Sequence, residues 1–204
     1  MNELEKMFHA TDSAALYAAR YLDYLSELLR EIDGTEIENI VHALLTAYEN
    51  HRTIFVIGNG GSAACASHWV NDLANGTKVP GQTPFRAISL TDNLASITAL
   101  ANDTGYENIF VAQLENLLQE GDVLIGISAS GNSANVIKAV EYANSMKAVT
   151  IGLVGFDGGQ MKSRCRICLH IPTAKGEYGP VEDIQMILDH LITTYLRQYL
   201  QSRD

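Results

Sequence analysis

The sequence predicts an α/β fold, in which a parallel sheet is covered by helices on both faces and preceded by a helical segment. Three observations carry this. Short runs rich in Ile and Val recur along the chain without polar alternation, which is how strands buried on both faces read. Helical stretches lie between those runs, and strand–helix alternation builds parallel sheets. Two of the runs end in loops of Gly, Ser and Asn that open directly onto a helix.

Residues from about Thr11 to Tyr48 read as helix. Leu16, Ala19, Leu22, Leu25, Leu28, Leu29 and Ile32 recur at helical spacing until Asp33-Gly34 breaks the pattern. A second helix carries Ile37, Ile40, Val41, Leu44, Leu45 and Tyr48 on one face, and Thr35-x-x-Glu38 has the form of a capping box at its start. These helices precede any strand, so they form an arm or a cap beside a later sheet. Strands are predicted at Thr53–Ile57, Phe85–Leu90, Asp122–Ile127, Val149–Val154 and Cys168–Ile171. Helices are predicted at Ala63–Ala74, Asn93–Ala101, Ile109–Leu118 and Asn135–Ser145. A last helix, Val181–Leu200, follows a polar loop flanked by Pro172 and Pro180.

Composition narrows the function. The chain of 204 residues is 47% hydrophobic, and 14 Lys+Arg against 24 Asp+Glu leave a net charge of −10. Duplex nucleic acid and anionic membrane both need a positive face, so neither is expected as a partner. A small phosphorylated ligand needs only local donors and stays open. No apolar run approaches the ~20 residues of a membrane span. Met1–Phe8 is acidic and lacks the apolar core of a signal peptide. Cys65, Cys165 and Cys168 are an odd count at no disulfide-like spacing. Cys165-x-x-Cys168 has no second pair to complete a zinc ribbon. Reduced thiols and a cytoplasmic protein are expected.

Ligands of open parallel sheets bind beyond the C-terminal ends of the strands. Two such ends carry the unusual loops. The first is Gly58-Asn59-Gly60-Gly61-Ser62, where glycines admit a ligand to the backbone and the next helix offers free N–H groups. The second is Ser128-Ala129-Ser130-Gly131-Asn132-Ser133, three hydroxyls and an amide around one Gly at a helix start. Ser and Asn are also ordinary caps and turn residues, and it is the pairing of two such loops in one sheet that points to phosphate. The first loop has neither the G-x-G-x-x-G spacing of a dinucleotide fold nor the Lys of a Walker loop. A phosphorylated ligand smaller than a nucleotide fits better.

Gly58-Asn59-Gly60-Gly61-Ser62 with His68 downstream, Asn102-Asp103-x-Gly105-Tyr106 and Gly126-Ile127-Ser128-x-Ser130-Gly131-Asn132-Ser133 resemble the sugar isomerase (SIS) domain. Within it the chain is similar to the phosphoheptose isomerases, which act on sedoheptulose 7-phosphate. The resemblance spans nearly the whole chain. It implies a flavodoxin-like three-layer sandwich with a five-stranded parallel sheet. It also implies an oligomerisation arm at residues 1–50, a SIS domain at 51–204, and a homotetramer with sites shared between subunits. Ser128, Ser130, Asn132 and Ser133 would bind the phosphate, and Asn59, Gly60, Ser62, Asp103 and Gln185 would lie on the sugar side.

The family places a metal-binding His and, four residues later, a Glu base on the helix after the first loop. This chain has His68 and Asp72 there, and the i, i+4 spacing puts both on one helical face. On the last helix the family has a Gln followed eight residues later by a His that moves the second proton. Gln185 is retained, but the later position is Thr193. His190 lies about 140° around the helix from Gln185 and reads as an ordinary helix residue. Ala129 replaces a family Thr, and Glu182 matches an acidic position. No cofactor is required by these motifs, although a divalent metal, zinc, could sit on His68, Asp72 and Gln185. His9, His42, His51 and His170 read as structural, Met161 and Met186 as core filler. Glu177 and Tyr178 could line a site or be exposed.

Two functions fit. The first is a phosphosugar aldose–ketose isomerase working through an enediol, with Asp72 and Glu182 as the proton-transferring carboxylates. The alternative is a non-catalytic SIS-domain regulator or phosphosugar sensor, of the type that binds the replication initiator DnaA. That branch lacks the same His, and Gly155-Phe156-Asp157-Gly158-Gly159 is similar to it. Retention of the loop serines favours ligand binding, and retention of a carboxylate at Asp72 favours chemistry.

Overall fold

The computed structural model describes residues 1–203. Five strands, β1 (Thr53–Gly58), β2 (Arg86–Ser89), β3 (Val123–Ser128), β4 (Val149–Val154) and β5 (Ile167–His170), form one sheet in the order β2-β1-β3-β4-β5. Every pairing is parallel. This is the flavodoxin-like order, and its topological switch lies between β1 and β3. All five predicted strands are present within a residue or two of their expected ends.

Helices cover both faces. Those on the first are α3 (Gly34–Glu49), α4 (Gly61–Asn71) and the long α9 (Tyr178–Gln201), with α2 (Ala14–Arg30) outside them and α1 (Glu3–His9) ahead. The second face carries α5 (Leu94–Thr104), α6 (Val111–Leu117), α7 (Ala134–Ser145) and the short α8 (Met161–Arg164). The strands alternate between the two cores. Ile54, Val56, Ile125, Ile127, Ile151 and Leu153 pack with Trp69, Leu73, Ile184 and Leu188 on the first face. Phe55, Ile57, Leu124 and Val154 pack with Phe110, Leu114, Val136 and Val140 on the second.

The central strands β1 and β3 are buried throughout, as a two-sided strand should be. The edge strands depart from that expectation. Arg86 and Ile88 of β2 are exposed, and β5 is only half-buried apart from Leu169. An edge strand has a neighbour on one side only, so its apolar run is less covered. The expected capping box at Thr35 does not form. Asp33 caps α3 instead, its Oδ1 accepting from the Thr35 N–H at 2.8 Å. A capping box does form where none was expected, between Asn2 and Glu5 on α1. The helix predicted over 63–74 is α4 followed by a π-helical turn, Asp72–Gly76. Helix α9 starts three residues before its predicted beginning, with Pro180 in its first turn, where a missing N–H costs nothing.

The first 50 residues divide in two. Helix α3 buries Ile40, Ala43, Leu44 and Ala47 in the core of the sheet. Helix α2 buries only Leu28 and leaves Leu16 and Leu22 exposed. The outer helices are tied down by one buried carboxylate. Glu177 accepts from the Glu3 N–H at 2.6 Å, the Tyr24 hydroxyl at 2.7 Å and the Ala174 N–H at 3.1 Å. Among the described residues no helix is long and apolar enough to cross a membrane.

Candidate active site

The two singled-out loops meet at the switch point. The carboxyl ends of β1 and β3 diverge into oppositely placed helices there, which opens a crevice. A pocket of about 160 Å³ in that crevice is lined by Asn59, Ser62, Ser128, Ser130, Ser133, Tyr178 and Glu182, among others. Ser133 is the N-cap of α7, yet its hydroxyl makes no cap bond and lies 3.2 Å from the Ser128 hydroxyl. Two hydroxyls and the free end of a helix thus face the same space, which is the chemistry an anion needs. Gly131 holds φ +61°, and a Cβ there would collide with the Gly158 carbonyl. Asn132 is bound within the loop system, donating to the Ser130 carbonyl at 3.0 Å and accepting from the Gln160 N–H at 3.2 Å. Its side chain shapes the loop.

On the β1 side, Gly60 takes φ +56° as the N-cap of α4. A Cβ at Gly61 would meet the Glu182 carboxylate, which lies against it. Glu182 therefore sits beside the positive end of α4, a favourable place for an anion. Ser62 is buried at the pocket wall. Asn59 is pinned rather than free, its amide exchanging two hydrogen bonds with Asn135 at 2.8 and 2.9 Å and its Oδ1 also accepting from the Tyr106 hydroxyl at 2.9 Å. The two loops are thereby locked together, and the Tyr106 motif is tied to the first of them. Asp103 lies exposed at the end of α5, where it accepts from Asn102 at 2.8 Å.

A second polar group forms where α4 and its π-helical turn pack on α9. His68 and Asp72 share a face as expected, with Nε2 and Oδ2 3.5 Å apart. The His190 Nε2 stands 3.0 Å from the His68 Nε2, and the Asp189 Oδ2 stands 3.9 Å from it. Asp189 is fully buried, and neither of its carboxylate oxygens has a hydrogen-bond partner. Burial, with Asp72 adding to it, pushes the Asp189 carboxyl up to about 8. One turn earlier, Gln185 is equally buried. Its amide donates to the Leu153 carbonyl at 3.0 Å, and its Oε1 is left without a partner. The mixed imidazole and carboxylate donors suit a divalent ion such as zinc.

Known proteins bear on this geometry. The SIS domain family model matches residues 17–155. The chain belongs to the SIS domain family. Within that family it resembles the phosphoheptose isomerases, which also match over most of its length. The Helicobacter pylori (strain ATCC 700392 / 26695) phosphoheptose isomerase is 34% identical over 191 residues, covering 93% of this chain and 98% of that one. The Fusobacterium nucleatum enzyme is 39% identical over 171 residues, 81% of this chain and 86% of that one. The structure of the Neisseria gonorrhoeae phosphoheptose isomerase superposes with a TM-score of 0.83 at 28% identity, covering 91% of this chain and all of that one.

In this SIS-domain protein the two singled-out loops come together at one pocket, and Asp189, which the sequence reading does not single out, stands with His190 against His68. Measured from Gln185, His190 falls about 140° away around α9. Contact with α4 covers a wider arc of the helix, wide enough to include His190. A signal was present: an Asp-His pair one turn beyond Gln185, opposite an i, i+4 His/Asp pair. Burial pushes Cys165 up to about 12 and Cys168 up to about 11. Among the described residues neither thiol belongs to a converging group of three or more metal-donor side chains.

Proposed function

We propose that this protein is an aldose–ketose isomerase acting on a phosphorylated sugar of the sedoheptulose 7-phosphate kind, through an enediol. The observation that carries it is the switch-point pocket, where serine hydroxyls at a helix start and the Glu182 carboxylate line one space. Phosphoheptose isomerases covering nearly the whole chain support the same reading.

Ser128, Ser130 and Ser133 take the phosphate together with the open N-terminus of α7, and Asn132 holds their loop. Asn59, Gly60, Ser62, Asp103 and Gln185 border the sugar. Asp72 removes the proton from the carbon beside the carbonyl. The electron pair of that C–H bond becomes the C=C bond, and the carbonyl oxygen takes up a proton to complete the enediol. The neighbouring hydroxyl then loses its proton to become the new carbonyl, and a proton is delivered to the former carbonyl carbon. With Thr193 where the family has a His, Glu182 is the group available for that delivery. A divalent metal would polarise the carbonyl and stabilise the enediolate, and by family position His68, Asp72 and Gln185 would hold it.

The same reading makes the working unit a cytoplasmic homotetramer, with residues 1–50 at its interfaces and sites shared between subunits. Exposed Leu16 and Leu22 on α2 support it, since apolar faces of this kind are usually covered. A thermal-shift screen of phosphosugars, with turnover followed by loss of the C2 proton signal in heavy water, tests the activity. Binding and exchange are both expected. Binding without exchange would transfer the protein to the regulator or sensor class.

A further inference from the structure

We propose that Asp189 and His190 complete a divalent-metal site with His68 and Asp72, so that this chain holds its metal with two imidazoles and two carboxylates drawn from the α4 region and α9. The inference rests on the isomerase reading for what the metal does, and not for whether it binds. His68, Asp72, Asp189 and His190 each present one donor atom, and all four atoms lie within 4.8 Å of one another. Among the described residues no other group of three or more such side chains converges this way.

The spacings fit an ion. A tetrahedral centre with ligands at about 2.0–2.2 Å sets its donors about 3.3–3.6 Å apart. The three pairs that include the His68 Nε2 are 3.0, 3.5 and 3.9 Å, values that bracket the ideal, and the other three lie within 4.8 Å. Modest side-chain shifts would bring all six to the ideal.

Asp189 supplies the independent observation. A fully buried carboxylate with both oxygens unpartnered is rare in a folded protein, because leaving it so is costly. Its nearest basic atom, the His68 Nε2 at 3.9 Å, is beyond hydrogen-bond range. Two carboxylates packed around one imidazole also repel each other. A dication answers each of these at once, since it ligates the Asp189 oxygen, cancels two negative charges and accepts lone pairs from two neutral imidazoles. His68 and His190 reach solvent, so the site has an open approach.

The chain thus replaces the missing His at Thr193 by residues four and five positions after Gln185. Asp189 lies on the buried face one turn beyond Gln185, and His190 stands at its solvent edge.

The test is zinc binding by the metal-stripped full-length protein, without sugar, measured by competition with a chromophoric chelator. The wild type should bind one zinc per chain. Asp189→Asn keeps the shape of the side chain, and His190→Ala alters an exposed one, so neither change threatens the fold. Each should weaken zinc binding by more than the ~10–100-fold that outer-shell partners cost. Cobalt bound in place of zinc should lose its tetrahedral visible spectrum in both variants. Unchanged zinc affinity in both variants, or no stoichiometric zinc in the wild type, would overturn the site. Affinity lost only in Gln185→Ala would return the ligand set to the family pattern. Zinc binding that depends on Asp189 and His190 in a protein that turns over no phosphosugar would leave this site standing and remove the isomerase reading instead.

Discussion

The serine loop takes its polar groups from consecutive residues, Ser128 to Ser133, while the cluster at His68 joins side chains 122 residues apart. The loop is internally finished. Its backbone turns are closed by the Gly131 N–H on the Ser128 carbonyl at 3.1 Å and by the Asn132 side chain on the Ser130 carbonyl at 3.0 Å, while the Ser130 hydroxyl accepts from the Asn132 N–H and the Ser128 and Ser133 hydroxyls meet each other, both at 3.2 Å, on the pocket wall. The cluster is unfinished, with a buried carboxylate that no described residue satisfies. A finished loop can select and hold a ligand with little rearrangement. An unfinished buried group marks where the protein has given up stability for a task, because the low dielectric that penalises it also strengthens its action on a bound ion or a reacting carbon.

If this division is right, the two regions fail differently. The largest effect belongs to the cluster. Asp72→Asn keeps size and hydrogen bonding but removes the base, and it should lower turnover by ~10²–10⁴ with phosphosugar affinity nearly unchanged. Steady-state kinetics beside a binding titration would show it, and normal turnover would end the base assignment. The loop should show the reverse. Ser130→Ala or Ser133→Ala should weaken phosphosugar binding by roughly 1–3 kcal/mol, the range for a hydrogen bond to a charged group. A Ser variant that lowered kcat with unchanged affinity would erase the contrast.

The smallest effect is on stability in the metal-free protein. Asp189 has its folded pKa raised from 3.8 to about 8 by burial and by Asp72. Between those values the folded protein keeps a proton that the unfolded chain has released. The contribution of Asp189 is therefore complete below about pH 4 and is lost as pH rises through about 8. His68, Asp72 and His190 face it, so the comparison must be with Asp189→Asn. Between pH 5 and pH 8.5 the wild type should lose more Tm than that variant, by at least the ~2–4 °C that 1 kcal/mol makes in a chain of this size. Equal pH slopes would show that Asp189 already has a partner.

Local pattern made much of this protein legible. Val149–Val154 forms β4 as predicted, because a short Val- and Ile-rich run, buried on both faces from Thr150 onward, has no competing period. The serine loop was legible for the same reason, being one short stretch at a strand end. Helix α1 was missed because its seven residues bury nothing and are fixed by a cap and by the distant Glu177. The half-exposed edge strand β2 was misjudged because edge position is a property of sheet order, which no single run encodes.

By itself, the sequence determined the α/β class, the five strands, the two glycine- and serine-rich loops and the His68–Asp72 pair, since each is written within a few residues or one helical repeat. Only the tertiary structure decided that β1 and β3 part to open the pocket, that Glu182 closes it over Gly61, and that Asp189 and His190 stand against His68. Those facts depend on how α9 packs across α4. That packing is set by the summed burial of Trp69, Leu73, Ile184 and Leu188 in one core, a quantity spread over a chain's length and belonging to no motif.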